Sequence, residues 1–376
     1  MLRHKLAAQL PLIAALFVVG LLAPFAGAAL ADKGGIPHGG NGRLTSTSGS
    51  TTTTNSTTTT DSAPTTTTSS TSSTTTLTST SSLSSTALPP NPSAPRQLGV
   101  TLAWSTGWLS SLDAYASRVG RMPSVVQTFR DMENTLLNTT EMSGIASRGA
   151  VPLVTVEPWN GTNSTDPTYS LKNIANGKFD SWFAAGADQA VAYGKPFYLR
   201  FAPEMNGTWS PWGAGVNGNT AQDYVNAWRH VWGIFKGHGA TNVRWVWAPN
   251  VVGGAVDFLP YYPGSDEVDV LGLDGYNWGS LDVWETWSQL FGKSYDELCT
   301  LDAMKPVMIA ETASTELGGN KAAWITSAYT TEIPTRTPRV KTVVWFNLNK
   351  ETGWRVESSA TSLDAFRAVV ASPDWG

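Results

Sequence analysis

The sequence predicts an α/β chain folded as a (β/α)8 TIM barrel, preceded by an export signal and a disordered linker. Past Arg96, eight short β-rich runs alternate with amphipathic or Ala-rich stretches. Such alternation implies a parallel sheet, and eight strands are the number that closes as a barrel. Residues 97–376 also provide the length this architecture takes, typically about 250 residues. An open doubly wound sheet is the alternative. It would carry a Gly-rich nucleotide fingerprint after its first strand, and residues 98–105 (LGVTLAWS) carry none.

Taken in order, the strand candidates are 98–102, 125–129, 151–156, 197–201, 243–247, 268–273, 307–310 and 342–346. Each is short and rich in Val, Ile, Leu and aromatic residues, the composition of strands buried on both faces. The clearest helix candidates between them are 179–193, 221–236, 284–298 and 321–330. The second opens on Thr220-x-x-Asp223, a capping-box-like start.

Ahead of the barrel the composition changes. Arg3, His4 and Lys5 precede an apolar segment through Ile13, Phe17, Val18, Val19 and Leu22. Small residues then offer cleavage after Ala28 or Ala31, so residues 1–31 read as a signal peptide. The competing reading is an uncleaved N-terminal anchor, because residues 12–30 are just long enough, at roughly 20 residues, to span a bilayer. Residues 32–96 read as a disordered Ser/Thr/Pro-rich linker, too poor in apolar groups to offset the entropy of ordering. Its composition is also that of O-glycosylated stalks. On this reading residues 97–376 are the catalytic domain and the chain is secreted or held at the cell surface.

Composition narrows the partners. Net charge is −4 and no basic run follows the N-terminus, so nucleic acid is not an expected partner. The single cysteine, Cys299, excludes an intramolecular disulfide and reads as a packing residue. Sequons occur at Asn55, Asn138, Asn160, Asn163 and Asn206. Of the four histidines, His4 and His38 lie outside the domain, while His230 and His238 fall on or just after a helix. That scarcity argues against a metal site. No cofactor is expected, and a monomer is.

All 17 tryptophans lie at or after Trp104. In such barrels the chemistry sits at the C-terminal ends of the strands, and those ends are where the aromatic and polar residues gather. Trp104 and Trp108 follow the first strand, and Glu157, Trp159 and Asn160 the third. The fourth carries Arg200 and runs into Glu204, Asn206, Trp209 and Trp212. Trp247 and Asn250 mark the fifth, and Asp274, Tyr276, Asn277 and Trp278 the sixth. Glu311 follows the seventh, and Trp345 and Asn347 end the eighth. Indole faces pack against the apolar faces of pyranose rings, and paired carboxylates do acid–base work at a glycosidic bond.

Glu204 and Glu311 are the two carboxylates expected to flank a bound sugar chain. A separation of about 5–5.5 Å would imply retention of anomeric configuration and about 6.5–9.5 Å inversion. Arg200 beside a nucleophilic carboxylate would keep it ionised, and Tyr276 could hold it by hydrogen bond. Glu157, next to Trp159, reads as a sugar-hydroxyl contact.

Residues 200–213 (RFAPEMNGTWSPWG) resemble the acid/base motif of glycoside hydrolase family 26, a clan A family of retaining β-mannanases and β-glucanases. The resemblance extends to 152–159 (PLVTVEPW), 245–250 (WVWAPN), 269–278 (DVLGLDGYNW) and 309–314 (IAETAS), and so covers most of the domain. It implies Glu204 as acid/base, Glu311 as nucleophile, Tyr276 as the nucleophile's partner and Trp345 as a platform beneath the sugar whose bond is cut. Trp104, Glu157, Trp159, Arg200, Asn206, Trp209, Trp212, Trp247, Asn250, Asp274 and Trp278 complete the expected substrate cleft. Where many family members have His before the acid/base glutamate, this chain has Pro203. Proline has no polar side chain with which to contact a 2-hydroxyl, which weakens a simple transfer of mannanase specificity and leaves the two-carboxylate mechanism intact.

The expected function is therefore a secreted retaining endo-β-glycanase acting on β-1,4-mannan or a mixed-linkage β-1,3/1,4-glucan. The alternatives are a carbohydrate-binding or adhesion protein on the same barrel and a hydrolase trimming the producer's own exopolysaccharide.

Overall fold

Eight parallel strands close into a barrel in sequence order. The structure, a computed structural model, describes residues 95–376 apart from Trp104, Thr106, Ser164 and Gly254. The expected signal peptide, almost all of the linker and the candidate Trp104 lie outside the described residues.

The strands are β1 (Gln97–Thr101), β2 (Val125–Arg130), β3 (Val151–Val156), β4 (Phe197–Phe201), β5 (Val243–Trp247), β6 (Val270–Asn277), β7 (Val307–Ser314) and β8 (Val340–Phe346). β1 pairs with β2 on one side and with β8 on the other, which closes the ring. Among the described residues the helices are α1 (Trp108–Val119), α2 (Thr139–Ala146), α3 (Leu171–Ala175), α4 (Asp180–Tyr193), α5 (Ala221–Gly237), α6 (Trp287–Leu301), α7 (Lys321–Ser327), α8 (Ile333–Arg336) and α9 (Ala360–Ala371). The capping box expected at Thr220 and Asp223 is present and opens α5. A second one, Thr286 with Gln289, starts α6 three residues later than the apolar pattern suggested. Once the Thr286 side chain and Gln289 satisfy the first free N–H groups, the helix has no need of an earlier turn.

Strand side chains alternate between two cores. Val125, Leu153, Tyr198, Val246, Val270, Met308 and Val344 fill the barrel interior. Their chain neighbours Val126, Val154, Leu199, Trp245, Trp247, Leu271, Ile309, Val343 and Trp345 face the helices. In that outer layer Trp245 packs edge-on to Trp228 and Phe235 of α5, with ring centres 5.6 and 5.3 Å apart. One layer above the apolar interior, the same inward parity carries Thr101, Gln127, Thr155 and Arg200, all buried. The floor of the barrel mouth is therefore polar.

Two strands run further than their apolar stretches suggested. β6 and β7 pair as far as Asn277 and Ser314, with a register shift after Leu273 and irregular pairing of β7 with β8 between Ile309 and Thr312. Polar residues such as Asp274 and Glu311 ordinarily signal a strand end. Here the bulges let the ladder continue beyond them, so Asp274, Tyr276 and Glu311 are strand residues rather than loop residues.

Candidate active site

The β4 exit sets one half of the site. After Phe201 the backbone turns sharply, with Ala202 at φ 45° and Glu204 at φ 52°. Non-glycine residues seldom occupy this left-handed region, and holding each there costs on the order of 1–3 kcal/mol. Neighbouring strands pin the turn: the Ala202 N–H donates to the Val156 carbonyl at 2.8 Å and the Glu204 N–H to the Ala248 carbonyl at 2.9 Å. The Trp212 indole N–H donates to the Pro203 carbonyl at 2.6 Å. Asn206, fully buried, donates to the Asn250 and Val256 carbonyls and accepts from the Asn250 N–H.

This scaffold aims the Glu204 carboxyl group at two donors, Asn250 Nδ2 at 2.6 Å and Trp209 Nε1 at 2.9 Å. Gly207 is needed for the second. A Cβ there would stand 2.3 Å from the Trp209 ring, so any side chain would push the indole off the glutamate.

The other half is built inside the barrel. Arg200 is completely buried and its guanidinium spans the mouth. It donates to Asp274 Oδ2 at 2.7 Å, to Thr155 Oγ1 at 3.1 Å and to Glu311 Oε1. The second Glu311 oxygen accepts from the Tyr276 hydroxyl at 2.6 Å. Beneath this cluster Gln127 bridges Thr101 Oγ1 and Thr155 Oγ1, so the arginine rests on a hydrogen-bonded polar layer.

Electrostatics follow from this packing. Burial raises the pKa of Glu204 and the Glu311 charge raises it further; the Asn250, Trp209 and Arg200 contributions only partly oppose this. Burial, then the Glu311 charge, push the Tyr276 phenol well above its ordinary value, so it remains a donor. Burial opposes the Arg200 charge, yet Asp274 and Glu311 outweigh it and the guanidinium is held more firmly protonated. Glu157, half-buried just past β3, is pushed up to about 8, by burial first and by the Glu311 charge second. Glu157 and Glu204 thus both sense the charge of Glu311.

A cleft of about 450 Å³ opens beside Glu157, lined also by Gln127, Phe129, Asp131, Asn134 and Trp159. Trp108, at the start of α1, lines it as well. Trp278 is half-exposed and meets Trp354 edge-on at 4.9 Å.

Four tryptophans expected in the substrate cleft, Trp345 as its platform, do not present an open face. Trp247 and Trp345 lie on the outer parity of β5 and β8. Trp247 packs against Phe258 and Tyr262, and Trp345 against Trp324, Tyr329 and Phe366. Both are fully buried, because period-2 alternation turned them to the helix layer. Trp212 is buried under the β4 loop that its indole ties, and Trp159 is buried to 2% exposure in the cleft wall. Asn206 and Asp274, expected as substrate contacts, are likewise fully buried. Asn206 is used up by main-chain groups, and Asp274 is the buried counter-charge of Arg200. The burial of Asn206 also removes it as a glycosylation acceptor. His230 and His238 pair with Asp180 and Asp188 on the outer helices, away from the barrel mouth.

Several residues of the site lie outside the set the sequence predicts. Thr101, Gln127 and Thr155 were legible as polar residues at inward strand positions. Phe346, inward on β8, and Trp354, in the loop after it, pack on Tyr276 at 5.7 and 5.2 Å; no sequence signal separates Trp354 from the other tryptophans.

A buried Arg200–Asp274–Glu311 cluster thus stands at the C-terminal end of a (β/α)8 barrel, with Glu204 in the turn after β4. The model for glycosyl hydrolase family 26 matches residues 167–315, a span that includes Arg200, Glu204, Asp274, Tyr276 and Glu311. Over 279 residues the chain is 37% identical to Endoglucanase H of Acetivibrio thermocellus, covering 68% of this chain and 30% of that protein. It is 33% identical over 125 residues to mannan endo-1,4-beta-mannosidase A and B of Caldalkalibacillus mannanilyticus, covering 30% of this chain and 24% of that protein. The chain thus spans less than a third of the length of either relative. Its fold is similar to that of the catalytic domain of a Bacillus sp. JAMB-750 family 26 endo-beta-1,4-mannanase. That similarity has a TM-score of 0.58 at 18% identity and covers 75% of this chain and 87% of the other. By sequence and fold together the chain belongs with the family 26-like glycoside hydrolases of clan A.

Proposed function

We propose that the chain is a secreted retaining β-glycanase that cuts a β-linked glucan- or mannan-type backbone internally. Glu311 is the nucleophile and Glu204 the acid, then the base. The observation that carries this reading is the coupling of two unlike carboxyl groups in one site. Glu311 is gripped by Arg200 and Tyr276, whereas burial and the Glu311 charge favour the protonated form of Glu204.

In the first step a Glu311 oxygen attacks the anomeric carbon as the glycosidic C–O bond breaks. The departing oxygen takes the Glu204 proton, leaving a glycosyl ester on Glu311. In the second, the Glu204 carboxylate takes a proton from water, whose oxygen attacks the same carbon and releases Glu311. Asn250 and Trp209 each donate to Glu204 and favour the carboxylate that exists between the two steps. Two inversions at one carbon give net retention.

For the sugar, β-1,4-linked or mixed-linkage glucan is the first choice. The relative named as an endoglucanase is similar over more of this chain than the one named as a mannosidase, and Pro203 offers no side-chain donor to an axial 2-hydroxyl. β-1,4-Mannan is the second reading, supported by that mannosidase. Secretion rests on the N-terminal export-type sequence.

The test measures reducing ends released from lichenan, glucomannan, galactomannan, laminarin and xylan. Wild type is run beside Glu204→Gln and Glu311→Gln, with the product anomer followed by NMR. The β-anomer should appear first and both variants should be nearly inactive. Wild-type turnover in Glu311→Gln, or α-anomer as first product, overturns the mechanism. Binding without turnover on every glycan returns the chain to the adhesion alternative.

A further inference from the structure

Lys321, the first residue of α7, has no exposed surface. Its ammonium lies 3.0, 3.1 and 2.8 Å from the carbonyl oxygens of Gly353, Trp354 and Arg355, and 2.9 Å from Ser358 Oγ. The Trp345 ring lies 5.6 Å away. A lysine is almost never fully buried without partners, and three successive carbonyls of an irregular segment cannot be left unpaired inside a protein. The lysine and the segment after β8 therefore satisfy each other.

Other contacts grip the same segment. The Trp345 indole N–H donates to the Trp354 carbonyl at 2.8 Å, and Asn347 Oδ1 accepts from the Val356 N–H at 2.8 Å. Glu316 Oε1 accepts from Ser358 and Ser362, both at 2.7 Å. What this carbonyl clamp holds is Trp354, whose ring packs 5.2 Å from Tyr276 and 4.9 Å from Trp278. Tyr276 in turn donates to Glu311.

We infer that Lys321 is a positioning residue for the reaction: by clamping the carbonyls of residues 353–355 it seats Trp354 against Tyr276 and so fixes the hydroxyl that holds Glu311. The inference rests on the proposed role of Glu311. Burial lowers the Lys321 ammonium to about 8, with Glu316 and Glu357 opposing that fall and Arg355 adding to it, so the clamp is charged at neutral pH.

The test compares Lys321→Gln, Lys321→Met and Trp354→Phe in the full chain, with kcat and KM per folded molecule and hydrogen exchange of the native protein. A displaced partner of the nucleophile should cost about tenfold to a hundredfold in kcat, with KM within about twofold of wild type. Exchange should quicken both in residues 347–359 and around Tyr276. Lys321→Gln and Trp354→Phe combined should cost no more than the worse single variant, because both act through one contact.

Unchanged kcat in Lys321→Gln or Trp354→Phe, or faster exchange that stops short of Tyr276, overturns the inference. If neither Lys321 variant folds, Trp354→Phe decides on the same readouts. Glu311→Gln separates the two possible failures. Should it stay active, the reading of Glu311 is wrong and this inference falls with it. Should it be dead while Trp354→Phe is unimpaired, this inference alone is wrong.

Discussion

Glu204 and Glu311 sit at the mouth of one barrel, and the molecule treats them in opposite ways. Glu311 stands within β7 at 8% exposure, gripped by the fully buried Arg200 guanidinium and the half-buried Tyr276 phenol. Glu204 stands in a strained turn outside the strands, half-buried, and is held by neutral donors from the β4 and β5 loops. Burial and the charge of Glu311 raise the pKa of Glu204, and the Asn250 and Trp209 donors only partly oppose that rise. Chemically identical residues thereby become suited to different tasks.

The hardest test of that contrast replaces each glutamate by glutamine. On the proposed mechanism Glu311→Gln should lose at least about a thousandfold in kcat, the scale of removing a covalent nucleophile. Glu204→Gln should lose about a hundredfold to ten-thousandfold, the range of general acid–base catalysis. It should lose least on aryl glycosides whose leaving group needs no proton. Equal losses on every leaving group would erase the distinction between the two.

Removing a holder tests each grip separately. Tyr276→Phe should lower kcat by about tenfold to a hundredfold with KM little changed, if the phenol matters more in the transition state than in the ground state. Trp345→Ala should instead cost about 3–5 kcal/mol of stability as a core deletion, read as a fall in the urea midpoint. Trp278→Ala, at a half-exposed ring, should raise KM and leave the midpoint near wild type.

Smaller effects appear in pH profiles. Asn250 and Trp209 favour the Glu204 carboxylate, so Asn250→Ala or Trp209→Phe should raise the Glu204 pKa further. The acid then stays protonated to higher pH, and the alkaline limb of kcat/KM should move up; a downward move would contradict its role as acid. Glu157, raised from its ordinary 4.5 to about 8, keeps a proton in the folded chain that the unfolded chain has lost between those values. Wild-type stability should therefore fall as pH rises through that window. Glu157→Gln, which does not titrate, should gain on wild type from pH 4.5 to 8 and show no such gain below it, as measured by urea unfolding.

Much of this was legible in the chain itself. The eight runs, the capping box at Thr220 and the clustering of Arg200, Glu204, Tyr276 and Glu311 at strand ends are local features that periodicity exposes. A tryptophan at a strand end reads the same whichever face it takes; the alternation decides the face, and it turns Trp247 and Trp345 to the helix layer. The sequence reads Asp274 and Glu311 as lying just past their strands, because a bulge depends on the neighbouring strand and leaves no local trace.

The barrel, its order of strands and the presence of a glutamate at the ends of β4 and β7 can be read from composition and short-range spacing. The tertiary structure alone decided which tryptophans are core, which donors hold Glu204, and that Lys321 and Trp354 stand behind Tyr276. Those outcomes depend on which groups meet across the barrel from positions far apart in the chain, and burial there sets both the packing and the charge.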